Sequence, residues 1–258
     1  MKNLNQALLI ILFVLTVRVA GQSEGGFIRS NSAYTLPQGR WETGVFQALR
    51  YGCSPDLEIS LHPVWFFILP NGSVKWSHGV HRGWQISSRH GFFCPTWTLR
   101  LIAKKGIAGI LSPEFEVPFL LGLNQQLLLS KAVAAQWTVT WNGGIGVGLK
   151  SGSLDSRTTI DLPVIYPRMS MFYHRYHFYT GVDLAGPAVK RWRWLAAVQL
   201  FFCPQDQAGF AFEHKGLLLW SRSSRFQLCG GYKLIYGEYP FGHQWHLLPV
   251  LDVQWGWH

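Results

Sequence analysis

Charge is scarce in this 258-residue chain: Asp, Glu, Lys and Arg make up 14% of it, against about 25% in an average soluble domain. A surface facing only water carries more, so part of the molecule is expected to face something else. Acids are the scarcer sign, 13 against 23 Lys and Arg, for a net charge of +10 at pH 7. Cysteine is rare as well. Cys53, Cys94, Cys203 and Cys229 show no CxxC or Cys/His spacing, which removes zinc-ribbon and thioredoxin-like readings. In an exported protein they would form two disulfides, in any of three connectivities, or stay as buried thiols. Beyond the first residues no apolar run reaches the roughly 20 residues with which a helix crosses a bilayer, which excludes a helix bundle. The phosphate-binding glycine loop and HExxH are absent too, and with them two common soluble-enzyme signatures.

What is present begins with a leader. Lys2 supplies a positive start, Ala7 to Val17 a short apolar run, and Val19-Ala20-Gly21 the small residues of a cleavage site, so residues 1–21 read as a secretory signal peptide. Export argues against nucleic acid as the partner of the basic charge, and no nucleic-acid motif supports it. Residues 22–40 read as a periplasmic lead-in and 41–258 as one β domain.

Aromatics are abundant, with 13 Trp, 17 Phe and 9 Tyr, and they fall on a period of two. From Gln136 to Lys150, Trp137, Val139, Trp141, Ile145, Val147 and Leu149 share one face, while the other is Thr138, Thr140, Asn142 and glycines. Successive strand residues point to opposite sides, so the segment has one apolar face and one small, polar face. The end of the chain repeats this, with Trp245, Leu247, Pro249, Leu251, Val253, Trp255 and Trp257 against Gln244, His246, Leu248, Val250, Asp252, Gln254, Gly256 and His258. Trp192 and Trp194 begin another such stripe. Tryptophans at stripe ends read as membrane girdles: Trp137, Trp141, Trp192, Trp194, Trp245, Trp255 and Trp257. Turn signals divide the chain into strands near 41–51, 57–68, 73–79, 83–93, 116–130, 136–150, 160–170, 174–185, 191–203, 209–221, 225–236 and 244–258. The expectation is all-β: a closed antiparallel transmembrane β-barrel of about 12 strands. One stretch, Trp97 to Leu111, reads instead as a short amphipathic helix that caps the barrel or lies at the interface.

The polar faces carry Glu42, Arg50, Glu58, Arg89, Arg193, Glu213, Lys215, Lys233, His246 and Asp252. These read as a charge network in a narrow lumen, or as a ring that favours anions. Phe46 and Phe66 are expected to help fill that lumen. Ser88 and His90, two apart and so on one strand face, form a candidate nucleophile and base. Their order departs from the His-x-Ser-Asn string of outer-membrane phospholipases and lipid A deacylases, which also carry Ser and His on barrel strands. Of ten histidines, only His78 and His81, His174 and His177, and His243 and His246 recur at a spacing of three, which turns paired rings to opposite faces of a strand. No metal and no cofactor are expected.

The leader, the alternating strands, the aromatic stripe ends and the terminal strand together resemble bacterial outer-membrane β-barrel proteins. Segments such as LPQGRWETGVFQALRYG and YPFGHQWHLLPVLDVQWGW are similar to those of uncharacterised exported barrels of Gram-negative bacteria. The terminal strand of that class ends in an aromatic residue, whereas here Trp257 is penultimate. The resemblance implies an outer-membrane location, with membrane lipid and other envelope proteins as partners. The reading is a narrow channel or an accessory subunit of an envelope complex, with no enzyme activity assigned. The alternatives are a lipid-modifying hydrolase using Ser88 and His90, and a soluble β-sandwich that binds carbohydrate through its tryptophans.

Overall fold

The computed structural model describes residues 27, 30–67, 69–104, 111, 114–134, 136–155, 158, 165–203, 209–239 and 242–258. The expected signal peptide lies outside them. The strands are β1 (Trp41–Gly44), β2 (Leu49–Ser54), β3 (Leu57–Leu61), β4 (Asn71–His81), β5 (Trp84–Phe93), β6 (Leu120–Ala134), β7 (Trp137–Lys150), β8 (Tyr176–Pro187), β9 (Trp192–Phe202), β10 (Phe210–Ser223), β11 (Phe226–Tyr239) and β12 (Gly242–Trp257). Among the described residues three helices interrupt them: α1 (Pro63–Phe66), α2 (Thr96–Ile102) and α3 (Tyr166–His174). Each strand pairs antiparallel with its neighbours in sequence, and β1 closes on β12 with Trp41 opposite Trp257. The result is a closed twelve-stranded barrel without a free edge, which removes the sandwich reading.

Twelve strands emerge as expected, though by two compensating differences. The expected strand 41–51 is two strands, because the chain leaves the wall at 45–48 and returns. Asp252 on β12 holds that excursion by accepting the Phe46 N–H at 2.9 Å. The expected strand 160–170 is instead, in its described part, the start of α3, with Pro167 in the first turn where its missing N–H costs nothing. Similarly, 57–68 gives β3 and then α1. Of the helix expected at Trp97 to Leu111, Thr96–Ile102 is present as α2 and 105–110 lie outside the described residues.

The two ends of the barrel differ. At the end that holds Trp41 and Trp257, strands are joined by the tight turns 55–56, 82–83, 188–191 and 224–225. Arg82 and Gly83 both take positive φ, 50° and 78°, as a two-residue turn matched to strand twist requires. At the other end the links include 62–70, 94–119 and 151–175, which contain the helices.

Alternation holds around the wall. Trp245, Leu247, Leu251, Phe178, Val182 and Leu218 are exposed on the outside, whereas Thr138, Thr140 and Asn142 of β7 are buried inside. All seven expected girdle tryptophans lie on the outward set. Trp137, Trp192, Trp194, Trp255 and Trp257 gather toward the turn end, and Trp245 lies toward the loop end. Trp137 and Trp194 meet across β8 with ring centroids 4.9 Å apart.

Two segments fill the lumen. Residues 30–40, the described part of the expected lead-in apart from Phe27, run inside the barrel, with Ser32, Ala33 and Leu36 wholly buried. A buried irregular segment needs partners for its backbone, and the wall provides them. Ser130 Oγ accepts from Ala33 N at 2.8 Å, Glu58 accepts from Leu36 N at 3.0 Å, and Ser87 Oγ donates to Ala33 O. From the loop end α3 enters against β7. A Cβ on Gly146 would lie 2.6 Å from Met171 Cε, and one on Gly148 2.4 Å from Met171 O. The glycine stripe of β7 is therefore the groove in which α3 lies. Met169, Met171 and Phe172 pack there with Leu99, Val117 and Leu120.

Candidate functional site in the lumen

Inward positions on neighbouring strands place charges in cross-strand contact. Glu42 stands opposite Arg50, Glu58 opposite Lys75, Lys75 opposite Arg89, and Arg89 opposite Gln126. Arg50 donates to Glu58 from Nε at 2.9 Å and Nη2 at 2.8 Å, and from Nη1 to Glu42 at 3.2 Å. Arg40 joins Glu42 at 2.8 Å and Lys75 joins Glu58 at 3.2 Å. These five side chains are at most 4% exposed. The network also grips the threaded segment, since Lys75 Nζ donates to Tyr34 O at 2.8 Å and Arg89 to Ser30 O.

A second cluster faces it from β10, β11 and α3. Glu213 accepts both Arg168 nitrogens, at 2.5 and 3.0 Å, and Lys233 Nζ at 2.8 Å. Lys215 stands opposite Lys233. Like charges directly opposed repel, and Glu213 compensates Lys233 only. Lys215 forms no ion pair among the described residues.

Between the clusters lies a chamber of about 820 Å³. Ser30 and Asn31 of the threaded segment line one side of it and Arg168 and Met169 of α3 another. Its described lining carries the cations Arg50, Arg89, Arg168, Lys215 and Lys233 against the carboxylates Glu58, Asp183 and Glu213. The chamber thus presents excess positive charge in a confined space, where fields are poorly screened.

Most of the expected network residues meet here, but three do not. Arg193 lies toward the turn end of β9 and donates to Gln136 O at 3.1 Å. Asp252 binds the Phe46 N–H and Gln254 Nε2 rather than a cation, and His246 bonds Gln244 at 2.9 Å. Phe46 and Phe66 do not fill the lumen. Phe46 is 68% exposed at the chamber's rim, and Phe66 is also exposed. Conversely, Arg40, Lys75 and Arg168 were not foreseen. Lys75 alternates with Ser73 and Ser77 on β4, a polar face readable in sequence, whereas Arg168 reaches the lumen only because its segment is a helix. The four cysteines are free thiols.

Ser88 and His90 do share a face, and it is the outer one. Ser88 Oγ lies 3.1 Å from His90 Nε2 and 2.8 Å from His78 Nε2, and His90 Nδ1 meets Gln125 Oε1.

No family model matches this chain, and no curated protein matches it. Among solved structures, the chain is similar to the outer membrane channel DcaP of Acinetobacter baumannii, at 9% identity and a TM-score of 0.38, over 91% of this chain and 68% of that one.

Proposed function

We propose that the chain is an integral outer-membrane barrel that conducts small anions through a narrow lumen. Membrane placement is supported by the outward belt. Trp245, Leu247, Leu251, Leu218, Val182 and Phe178 form an exposed apolar surface of a kind that water-facing strands do not carry. Aromatic residues gather toward both its ends, as at bilayer interfaces. Tight turns at one end and long links at the other match outer-membrane barrels with their turns in the periplasm. No described helix is long and apolar enough to cross a membrane.

The conducting role is carried by the chamber of about 820 Å³ and its excess of cations, Lys215 foremost. The threaded segment and α3 narrow the lumen on either side, which argues against a wide general pore.

Planar-bilayer recording under a KCl gradient tests this. Small conductance with a reversal potential on the chloride side is expected. Lys215→Glu alters the chamber by two charge units. At about 10 Å in water that is worth about 0.8 kcal/mol, or about fourfold in either ion's occupancy, so the reversal potential should move toward that of potassium. A silent bilayer, or a cation-selective wild type, overturns the channel reading.

A further inference from the structure

The outer face of β4, β5 and β6 carries a hydrogen-bonded chain of polar side chains inside the apolar belt. On β5, Ser88 and His90 follow Ile86 and precede Phe92; on β6, Gln125 lies between Leu123 and Leu127; on β4, His78 lies between Trp76 and Val80. Antiparallel register sets His90 directly opposite Gln125. Gln125 Oε1 meets His90 Nδ1, while His90 Nε2 and His78 Nε2 lie 3.1 Å and 2.8 Å from Ser88 Oγ.

One pattern of protons gives each group a role. With Gln125 Oε1 as acceptor, the His90 tautomer protonated at Nδ1 presents a lone pair at Nε2. Ser88 has one hydroxyl proton, which His90 Nε2 accepts. His78 Nε2 must then donate to the same oxygen. The resulting order is nucleophile, base and orienting group, with a further donor beside the nucleophile. Polar groups facing hydrocarbon are costly, and these four bond to one another without tying a loop, the threaded segment or a helix to the wall.

We propose that Ser88 and His90, with Gln125 and His78, form a serine hydrolase site that cleaves acyl esters of membrane lipids reaching the barrel from its side. The proposal rests on the membrane placement above and not on conduction. His90 lies three residues below the end of β5, about 8 Å along the membrane normal for a strand tilted about 40°. Ester groups sit at such a level, under the headgroups. Beyond the ends of the same strands, Phe67, Trp97 and Leu101 line a crevice of about 300 Å³ together with Arg100 and Lys104. That pairing of apolar wall and cations suits an acyl chain and a phosphate.

In the reaction Ser88 Oγ attacks the acyl carbonyl carbon as its proton passes to His90 Nε2. His78 Nε2 stands beside Ser88 Oγ, 2.8 Å away. The bond to the lipid alcohol breaks, and the departing oxygen takes the proton from His90. A water, deprotonated by the same nitrogen, then attacks the acyl-serine carbonyl. The proton on His90 returns to Ser88 Oγ as that bond breaks, which releases the fatty acid. One ester and one water are consumed, with no change of oxidation state. Gln125 acts through His90 and is a positioning residue.

For the test, the full chain is reconstituted into vesicles of phosphatidylethanolamine and phosphatidylglycerol that carry a labelled acyl chain. A long-chain alkyl fluorophosphonate serves as covalent probe. Folding is checked by heat-modifiable gel migration and insertion by flotation. Fatty-acid release and labelling of Ser88 are expected. Ser88→Ala and His90→Ala should each lower release by at least about 10³-fold with gel migration unchanged. Gln125→Leu should lower kcat with KM held, and Gln125→Glu, which keeps the acceptor, should restore kcat. An inserted, folded wild type that releases no fatty acid and takes no label overturns the site, as does release that persists in Ser88→Ala. A chain that fails to float with vesicles overturns the membrane placement instead.

Discussion

Replacing Glu58 with alanine is expected to cost about 3–5 kcal/mol of barrel stability, the usual effect of breaking a buried ion pair from one side. Glu58 accepts from Arg50 twice, from Lys75 and from the Leu36 backbone N–H. Removing its carboxylate leaves two cations that are at most 2% exposed with too little negative charge, because Glu42 is already shared by Arg40 and Arg50. Urea unfolding in phospholipid vesicles, or the temperature of the gel-mobility transition, measures the loss. Arg50→Met and Lys75→Met added to Glu58→Leu should recover most of it, since apolar groups of similar volume replace such networks at little cost. A Glu58→Ala barrel that melts with the wild type would show that the cations reach water. Because Leu36 N loses its acceptor as well, the same variant should loosen the threaded segment, and single-channel conductance should become noisier.

Much of the wall was legible because alternation is a local property of strands. Trp137 to Leu149 and Trp245 to Trp257 declared an outside, and Glu42, Arg50, Glu58 and Arg89 an inside, before any pairing was known. What fills the inside was not legible. Residues 30–40 have no period, and they are ordered by Ser87, Ser130, Glu58 and Lys75, which lie on four strands far away in sequence. Arg168 was hidden for a related reason. A helix in the link 151–175 has no reason to enter a lumen until the glycine stripe of β7 makes room for it.

The outward Ser88–His90 pair shows the same boundary. Two residues of one strand at a spacing of two were visible as a pair. Placing Arg89 in the lumen turns Ser88 and His90 outward by alternation, although β5 marks its two faces less clearly than β7: Ser88 and His90 interrupt one, while Ser87 and Arg89 lie on the other. Gln125 and His78 enter only through register across β6 and β4, and register depends on turns and neighbours rather than on local pattern.

The glycine stripe carries the second large effect. In Gly148→Leu, the new Cβ would fall 2.4 Å from Met171 O and 3.0 Å from Phe172 Cδ1. The first of these atoms is backbone and cannot rotate away, so α3 must move as a unit. Overpacking of this kind costs about 1–3 kcal/mol. That cost is met more easily by releasing a short helix from the mouth than by distorting a wall whose pairing keeps one register from Leu120–Lys150 to Ala132–Thr138 and from Val147–Tyr176 to Thr138–Ala185. The barrel should therefore keep its gel-mobility transition while the link 151–175 becomes open to protease at the loop end. Conductance should rise severalfold, because Arg168 leaves the chamber with the helix. Glu213 then loses its bidentate partner and keeps Lys233 alone, so selectivity for chloride should fall as conductance rises. Gly148→Ala, with the same Cβ and no further bulk, should show the same changes at smaller amplitude. If the leucine variant melts early and leaves the protease pattern unchanged, the wall rather than the helix is the softer element, and α3 is a fixed part of the lumen.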